Sequence, residues 1–406
     1  MRFPMQRIID SFGKRSGARF AVVAPDNTVY RTGDGEPQFT LRFRAESALL
    51  AFATRGHMGL LESYFDQTVD LEGDLGAGMA AGMASGLDTQ NNRLIDVENA
   101  WHELRFSNRS IARAKENARF HYGLGEPFYR LWLDDPYKMY TCGYWREGTK
   151  TLEEAQRNKI DHVIRKIKLA PGERYVDIGS GFGGFMFRAA ETVGAIGVGL
   201  NTTTEQVEWL RDEIGRRGLQ QQLSVREADF REVDGPYDKV VSIGTLEHAG
   251  RDQLAEVVKA HAAFLKPGGL GMLHFIGHVG RHDTELFIRK HVFPGGWIPS
   301  LGETLMEMEK CGLEILDVEN LRRHYALTLD EWASRFDRNW DTIRALDPKR
   351  FDERFRRIWR CYLIGCAEMF RSAAAHTHLF QITFSKGNVA ADGYPMSRAH
   401  LYADQR

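Results

Sequence analysis

The run YVDIGSGFGGF at residues 175–185 constrains the fold more than any other stretch of the chain. An apolar strand there ends in Asp177 and passes directly into Gly179, Gly181, Gly183 and Gly184, ahead of the amphipathic segment FMFRAAETV. Glycine permits positive φ in a tight strand-to-helix turn and lets the backbone approach a ligand without a Cβ in the way. From about Ile160 to His274 apolar and amphipathic runs alternate around this turn. RYVDIG, AIGVGL, SVREAD, YDKVVSIG and GLGMLHFIG read as strands, and TEQVEWLRDEIGRRG and QLAEVVKAHAAFL as helices. The alternation predicts an α/β fold with a mostly parallel, doubly wound sheet.

The flanking stretches have other textures. FAVVA, TVYRT and FTLRFRA, separated by turn residues, read as short strands of a small α+β unit that continues into a helix at ESALLAFATRG. GAGMAAGMASG reads as a hinge, and a boundary is expected near residue 120. The expected organisation is an N-terminal α+β domain with linker over 1–120, an α/β domain over 121–390 and an exposed tail over 391–406. TLDEWASRFDRNWDTIRAL and RFDERFRRIWRCYLIGCAEMF are helical, and the return to a strand at LFQITFSKG makes them read as an insertion covering the sheet.

Composition excludes several classes. With 54 Lys+Arg against 55 Asp+Glu there is no global basic field for nucleic acid. No apolar run approaches the roughly 18 residues of a membrane span, and MRFPMQRIIDSFGKRSGARF lacks a signal-peptide core, so a cytoplasmic protein is expected. Cys142, Cys311, Cys361 and Cys366 form no CxxC pair, and His278 and His282 in GHVGRHD lack the HExxH pattern. No metal site is expected, and the two histidines read as loop or solvent residues.

The turn at 175–185 has GxGxGG spacing with its carboxylate on the first strand, unlike the GxGxxG fingerprint for a pyrophosphate. A carboxylate there repels phosphate and suits the sulfonium, amino-acid and adenosyl parts of S-adenosylmethionine. The second strand closes in LNTTTEQ without an acidic residue, so Asn201 and Gln206 stand where polar contacts could replace it, with Thr203 and Thr204 as a helix N-cap. EADF places Asp229 and Phe230 to hold and stack an adenine. VVSIGTLEHAG brings Gly244, Glu247 and His248 to the carboxyl edge of the sheet.

Taken in order, MYTCGYW, TLEEAQRNKID, VDIGSGFGG, GVGLNTTTEQ, VSIGTLEHAG, LHFIG, VFPGGWIPS, HYALTLDEW and QITFSKG resemble the cyclopropane-fatty-acyl-phospholipid synthases and the mycolic-acid cyclopropane synthases and methyltransferases, over about Leu131 to Gly387. FTLRF and ESYFDQTVDLEGDL resemble the lipid-engaging N-terminal domain of the bacterial phospholipid enzymes. The resemblance implies a Rossmann-like class I methyltransferase fold with a helical insertion and a smaller α+β lipid-engaging domain. It implies an S-adenosylmethionine site at Tyr140, Thr141, Gly179, Gly181, Asn201, Gln206, Asp229 and Phe230, and a bicarbonate site at Cys142, Glu247, His274, Ile276 and Tyr325.

The implied reaction adds a methylene to the cis double bond of an unsaturated phospholipid acyl chain and closes a cyclopropane with bicarbonate as base. Aromatic faces at Tyr140, Tyr144 and Trp145 could stabilise positive charge. Ser180, Phe182 and Asn201 replace the family's usual Cys, Trp and Thr, and TLEH replaces FEH. Two alternatives stay open: a methyl- or methylene-branched or furan-precursor product without ring closure, and a non-catalytic lipid-binding protein. The expected setting is peripheral association with the inner face of the membrane. Arg350, Arg354 and Arg357 of RFDERFRRIWR form either a lipid contact or a solvated helix face. A homodimer is compatible with this reading, which leaves the oligomeric state open.

Overall fold

Eleven strands in two sheets organise the residues that the computed structural model describes, which are 2–87, 92–233 and 235–402. The chain divides into two compact units. One combines Met1–Leu104, Glu285–Val292 and Leu329–Ala375, and the other Arg105–Thr284, Phe293–Thr328 and His376–Arg406.

In the first unit β1 (Phe20–Val23), β2 (Val29–Arg31), β3 (Phe39–Phe43) and β4 (Val69–Gly73) form a sheet of order β2-β1-β3-β4, with β1 and β3 parallel. Phe39 and Phe43, at the ends of FTLRF, face the core with Ile9, Tyr30 and Val69, and the Phe20 and Phe39 rings stack at 5.2 Å. The glycine-rich segment expected as a hinge is instead mostly the helix Leu75–Ala84, whose Asp74 cap accepts from the Ala77 N–H at 3.1 Å. Small residues give close packing there: a Cβ on Gly78 would lie 2.8 Å from Leu71 Cδ1.

The helical stretch expected to insert into the larger domain belongs to this first unit from Leu329 on. In the helix Glu353–Arg371, Arg357 donates to the Tyr64 and Val69 carbonyls and pairs with Asp70 at 2.8 Å, while Arg354 pairs with Asp66 at 2.6 Å. Ion pairing of these arginines within the first unit accompanies this placement. It also withdraws Arg354 and Arg357 from the role of a free basic lipid patch.

The second unit carries β5 (Arg174–Ile178), β6 (Ile196–Asn201), β7 (Leu223–Glu227), β8 (Tyr237–Ile243), β9 (Leu265–His278), β10 (Leu313–Asn320) and β11 (Thr377–Lys386), in the order β10-β11-β9-β8-β5-β6-β7. β5 to β9 are parallel and β11 is antiparallel to both its neighbours. Apolar clusters cover both faces, as a doubly wound sheet requires. The order reverses between β5 and β8, and the carboxyl ends of those strands are where such sheets bind ligands.

Three readings of the sequence change here. β10 was not visible because its alternation is broken by Asp317 and Glu319, which turn toward buried Lys166 at 3.1 and 2.7 Å. The boundary falls at residue 104 rather than 120, since the helix Ile111–Tyr122 belongs with the sheet: the Tyr122 hydroxyl lies 2.8 Å from His248 Nε2. The tail after Gly387 is not exposed throughout. Tyr394 donates to the Lys166 carbonyl at 3.0 Å, Arg398 pairs with Asp317, and Leu401 is 1% exposed with its carbonyl accepting from Arg165 at 2.9 Å.

His278 is buried at the end of β9, with Nδ1 3.2 Å from Thr377 Oγ1, so it is not the solvent residue expected, whereas His282 is exposed in a loop and stacks on His376 at 4.0 Å. Among the described residues no helix is long and apolar enough to cross a membrane, and no group of three or more His, Cys, Asp or Glu could hold a metal. Leu401→Ala should cost about 2–5 kcal/mol in urea denaturation, the range for truncating a buried leucine. A change under about 0.5 kcal/mol, as at a surface site, would show that the tail does not dock.

Candidate functional site

The chain leaves β5 through Gly179 (φ 74°) and Gly181 (φ 54°) before the helix Gly184–Val193 begins. A Cβ on Gly179 would lie 2.4 Å from Thr245 Oγ1, whereas one on Gly181 would meet no atom within 4 Å and would enter open space. Asn201, at the end of β6, holds this turn with both ends of its amide. Its Oδ1 accepts from the Gly181 N–H at 2.9 Å and its Nδ2 donates to the Gly181 carbonyl at 3.0 Å. Thr245 adds a hydroxyl bond to the Ile178 carbonyl at 2.8 Å. Asn201 therefore shapes the cradle, a role the sequence reading did not give it.

All eight expected cofactor residues, Tyr140, Thr141, Gly179, Gly181, Asn201, Gln206, Asp229 and Phe230, line one cleft over these strand ends. Their roles differ from expectation at two further points. Asp229 caps the short turn Phe230–Glu232 and pairs with Arg231 at 2.6 Å, so its carboxylate is already engaged. Thr203 stands at the N-cap of the helix Thr204–Arg216 without capping it. Its hydroxyl is sealed from solvent, has no partner and lines the cleft, which makes it a candidate ligand group that the N-cap reading missed.

Beneath the cleft lies a residue that sequence reasoning passed over. Lys159 is fully buried on the helix Leu152–Lys166 and donates to Thr141 Oγ1 at 2.8 Å. Burial lowers its pKa, against the attraction of Asp134, Cys142 and Asp177. Burial pushes the Asp177 carboxyl up to about 7, with Lys159 pulling it back. The signal was available in TLEEAQRNKID, because Leu152, Ala155, Lys159, Ile160 and Val163 fall on one helical stripe.

The five expected bicarbonate residues do not line the cleft itself but form a connected group at its β8–β9 end. Glu247 sits between Leu246 and His248, both cleft-lining, and its Oε1 accepts from the Ile276 N–H at 2.6 Å. Ile276 pairs in register with Leu379 of β11, whose carbonyl takes the Leu321 N–H at 2.8 Å. The Leu321 carbonyl in turn receives the Tyr325 N–H at 3.2 Å and lies 4.0 Å from Cys142 Sγ. His274, two residues before Ile276 on the same face of β9, takes the Gln381 amide at Nδ1, 3.1 Å away.

Burial sets the protonation of these groups. His274 is held well below its ordinary pKa, and with Nδ1 accepting, the neutral ring carries its proton on Nε2. The Cys142 thiol is pushed up and stays neutral. Burial lifts the Glu247 carboxyl to about 7 against the pull of the Ile276 N–H. Glu247 Oε2 and His274 Nε2 are both sealed from solvent with no protein partner. Tyr144 offers no open ring face, being stacked between His162 at 4.4 Å and His324 at 5.0 Å, and Trp145 donates through Nε1 to Thr328 at 3.0 Å. Tyr140 keeps its place in the cleft, stacked on His121 at 5.4 Å.

Residues 109–382 match the family model of mycolic acid cyclopropane synthetase. The chain belongs to that family. A probable fatty acid methyltransferase of Pseudomonas putida is 34% identical over 379 residues, covering 90% of this chain and 92% of the relative. The cyclopropane-fatty-acyl-phospholipid synthase of Escherichia coli K12 is 31% identical, covering 70% of this chain and 71% of its own. The solved mycolic acid cyclopropane synthase CmaA1, complexed with SAH and CTAB, has 31% identity and a TM-score of 0.61, covering 67% of this chain and 98% of that one. The chain has the α/β, mostly parallel sheet expected from the strand pattern and the class I methyltransferase fold that the resemblance implied.

The raised Glu247 pKa has a stability consequence with a definite sign. The native state keeps a proton that the unfolded chain releases from its ordinary value of 4.5 upward, so the stability this group contributes is lost as pH rises from there to about 7. Glu247→Gln removes that dependence. Its stability relative to the parent should rise from about pH 5 to about pH 8 in urea titrations, and a difference flat across this range would place the Glu247 pKa at its ordinary value.

Proposed function

We propose that the protein transfers a one-carbon unit from S-adenosylmethionine to the cis double bond of an unsaturated phospholipid acyl chain and closes a cyclopropane ring with bicarbonate as base, at the cytoplasmic face of the membrane. The observation that carries this reading is the pair of sealed, unspent atoms beside the cleft, Glu247 Oε2, an acceptor once its carboxyl is ionised, and the donor His274 Nε2. An acceptor and a donor together suit a bound bicarbonate, which has both an O–H and a negative oxygen. The open space at Gly181 and the unspent Thr203 hydroxyl likewise suit an S-adenosylmethionine in the cleft. S-adenosylmethionine supplies an electrophilic methyl when bound, and bicarbonate a base for the proton that ring closure releases.

The chain's own residues do the remaining work by position. Asn201 and Thr245 hold the glycine turn open, Lys159 supports Thr141 from below, and Ile276 fixes the Glu247 carboxyl at one point. Gln381 fixes the His274 tautomer, while buried Cys142 and Tyr325 close the group around Leu321. Burial keeps water from an electron-deficient carbon in the acyl chain. A base held at one place lets geometry choose which proton leaves.

One comparison favours a second reading, a fatty-acyl methyltransferase that leaves a branched or methylene product. The Pseudomonas relative bearing a methyltransferase name aligns with 90% of this chain, the Escherichia synthase with 70%. Product chemistry separates the two. Purified protein, methyl-labelled S-adenosylmethionine and unsaturated phospholipid vesicles should yield labelled acyl chains that gain CH₂ and take up no hydrogen under mild hydrogenation. Hydrogen uptake by the labelled product would reject ring closure and leave methyl transfer standing. No label in the lipid would reject both.

Glu247→Gln should lower turnover about 100-fold or more while S-adenosylmethionine affinity stays within about 2-fold, the pattern of a group that acts beyond cofactor binding. Gly181→Val strains a positive φ and fills the cradle, and should abolish cofactor binding in calorimetry. Asn201→Ala, which only loosens the turn, should weaken binding about 10-fold. Parent-like affinity in both variants would put the cofactor elsewhere.

A further inference from the structure

The helix Arg93–Arg105 is amphipathic in the reverse sense. Its polar side is the one engaged with the rest of the first unit. Glu98 pairs with Arg55 and, at 3.0 Å, with Lys290; Asn99 accepts from Arg289 at 2.9 Å; Glu103 pairs with Arg289 at 3.3 Å. His102 on that side is buried. The apolar side points outward: Leu94 is 61% exposed, Val97 69%, Trp101 55% and Leu104 76%. Their spacing of three, four and three residues draws a single stripe along the helix. A helix docked only by folding turns such a stripe to the core. This one turns Ile95 and His102 inward, is held mainly by charge, and presents its longer apolar row to the surroundings.

We propose that this stripe docks the protein on an anionic lipid bilayer, with the helix lying in the plane between headgroups and acyl chains. The proposal rests on the phospholipid substrate of the proposed function and names the element that brings the protein to it. Three observations favour lipid as the occupant. Exposed Arg93 and Arg105 stand at the two ends of the helix, placed to reach phosphates on either side of the apolar row. Trp101, in the middle of the row, is a side chain that favours the boundary between headgroups and acyl chains. The four side chains expose on the order of 500 Å² together, enough for a functional patch but short of the roughly 800 Å² per partner of a standard stable protein interface. On the competing basic stretch, Arg354 and Arg357 of Glu353–Arg371 are in ion pairs.

The test is flotation with vesicles of unsaturated phosphatidylglycerol, comparing the parent with Val97→Glu/Trp101→Glu and, as a milder pair, Val97→Gln/Leu104→Gln. Far-UV circular dichroism and S-adenosylmethionine calorimetry report whether each variant is folded. The parent should float, and both folded variants should partition at least about 10-fold less, with cofactor affinity unchanged. Their rate on vesicles should fall with partitioning while their rate on detergent-dispersed acyl substrate stays at the parent level. Tryptophan fluorescence of the parent should be quenched by lipid brominated near the headgroup, and Trp101→Phe should lose that component. Equal flotation of parent and folded variants overturns the proposal. So does a parent dimer that the variants split in sedimentation velocity without any change in flotation, which would make a second copy the occupant. If the parent floats and the variants do not, yet no label enters lipid in either format, docking stands and the proposed reaction falls.

Discussion

A lysine shut away from water lies under the cleft, and much of the site's geometry follows from keeping it there. Lys159 reaches one hydroxyl, that of Thr141, and feels Asp134 and Asp177 through a medium that screens charge poorly. Such a group is costly to bury unless its surroundings hold still. The loop carrying Tyr140, Thr141 and Cys142 is therefore tied from below to the helix Leu152–Lys166, while Asp134 takes the Met139 N–H at 2.7 Å. The strand end at Asp177, from which the glycine turn departs, belongs to the same charge balance.

Much of the site was legible in the residues because glycine turns and strand ends leave strong local patterns. The turn at 175–185 and the parallel strands around it follow from periodicity alone. Glu247, His274 and Tyr325 stand far apart in sequence, and it was the family resemblance that drew them together. What escaped was decided by side-chain partners that no local pattern records. β10 was hidden because its acids face buried cations. The glycine-rich helix Leu75–Ala84 looked like a hinge because its small residues serve close packing instead of flexibility. The sequence could say that Asn201 and Asp229 are polar groups at strand ends, but not that the protein itself already uses them.

That distinction gives a way to sort the lining of a cleft. Asn201, Asp229 and Thr245 have committed their main hydrogen-bonding atoms to backbone or to Arg231, and they act as scaffolding. Thr203, Glu247 and His274 each retain a sealed atom with nothing to bond. Buried polar atoms are rarely left so in a folded protein without a reason, and these three lie at and beside one cleft.

The placement of β11 bears on how the protein comes to exist in the cell. This strand, residues 377–386, lies between β9 and β10, both made earlier. During synthesis the ribosome therefore releases β9 with an unfilled edge, and it stays so until more than a hundred further residues have emerged. His274 waits for Gln381 and Leu321 waits for Leu379, so the end of the site around Glu247 and His274 is the last part to be assembled. An interrupted translation product can thus carry the glycine turn and yet lack the groups that would act beside it, and activity becomes a readout of finished chains.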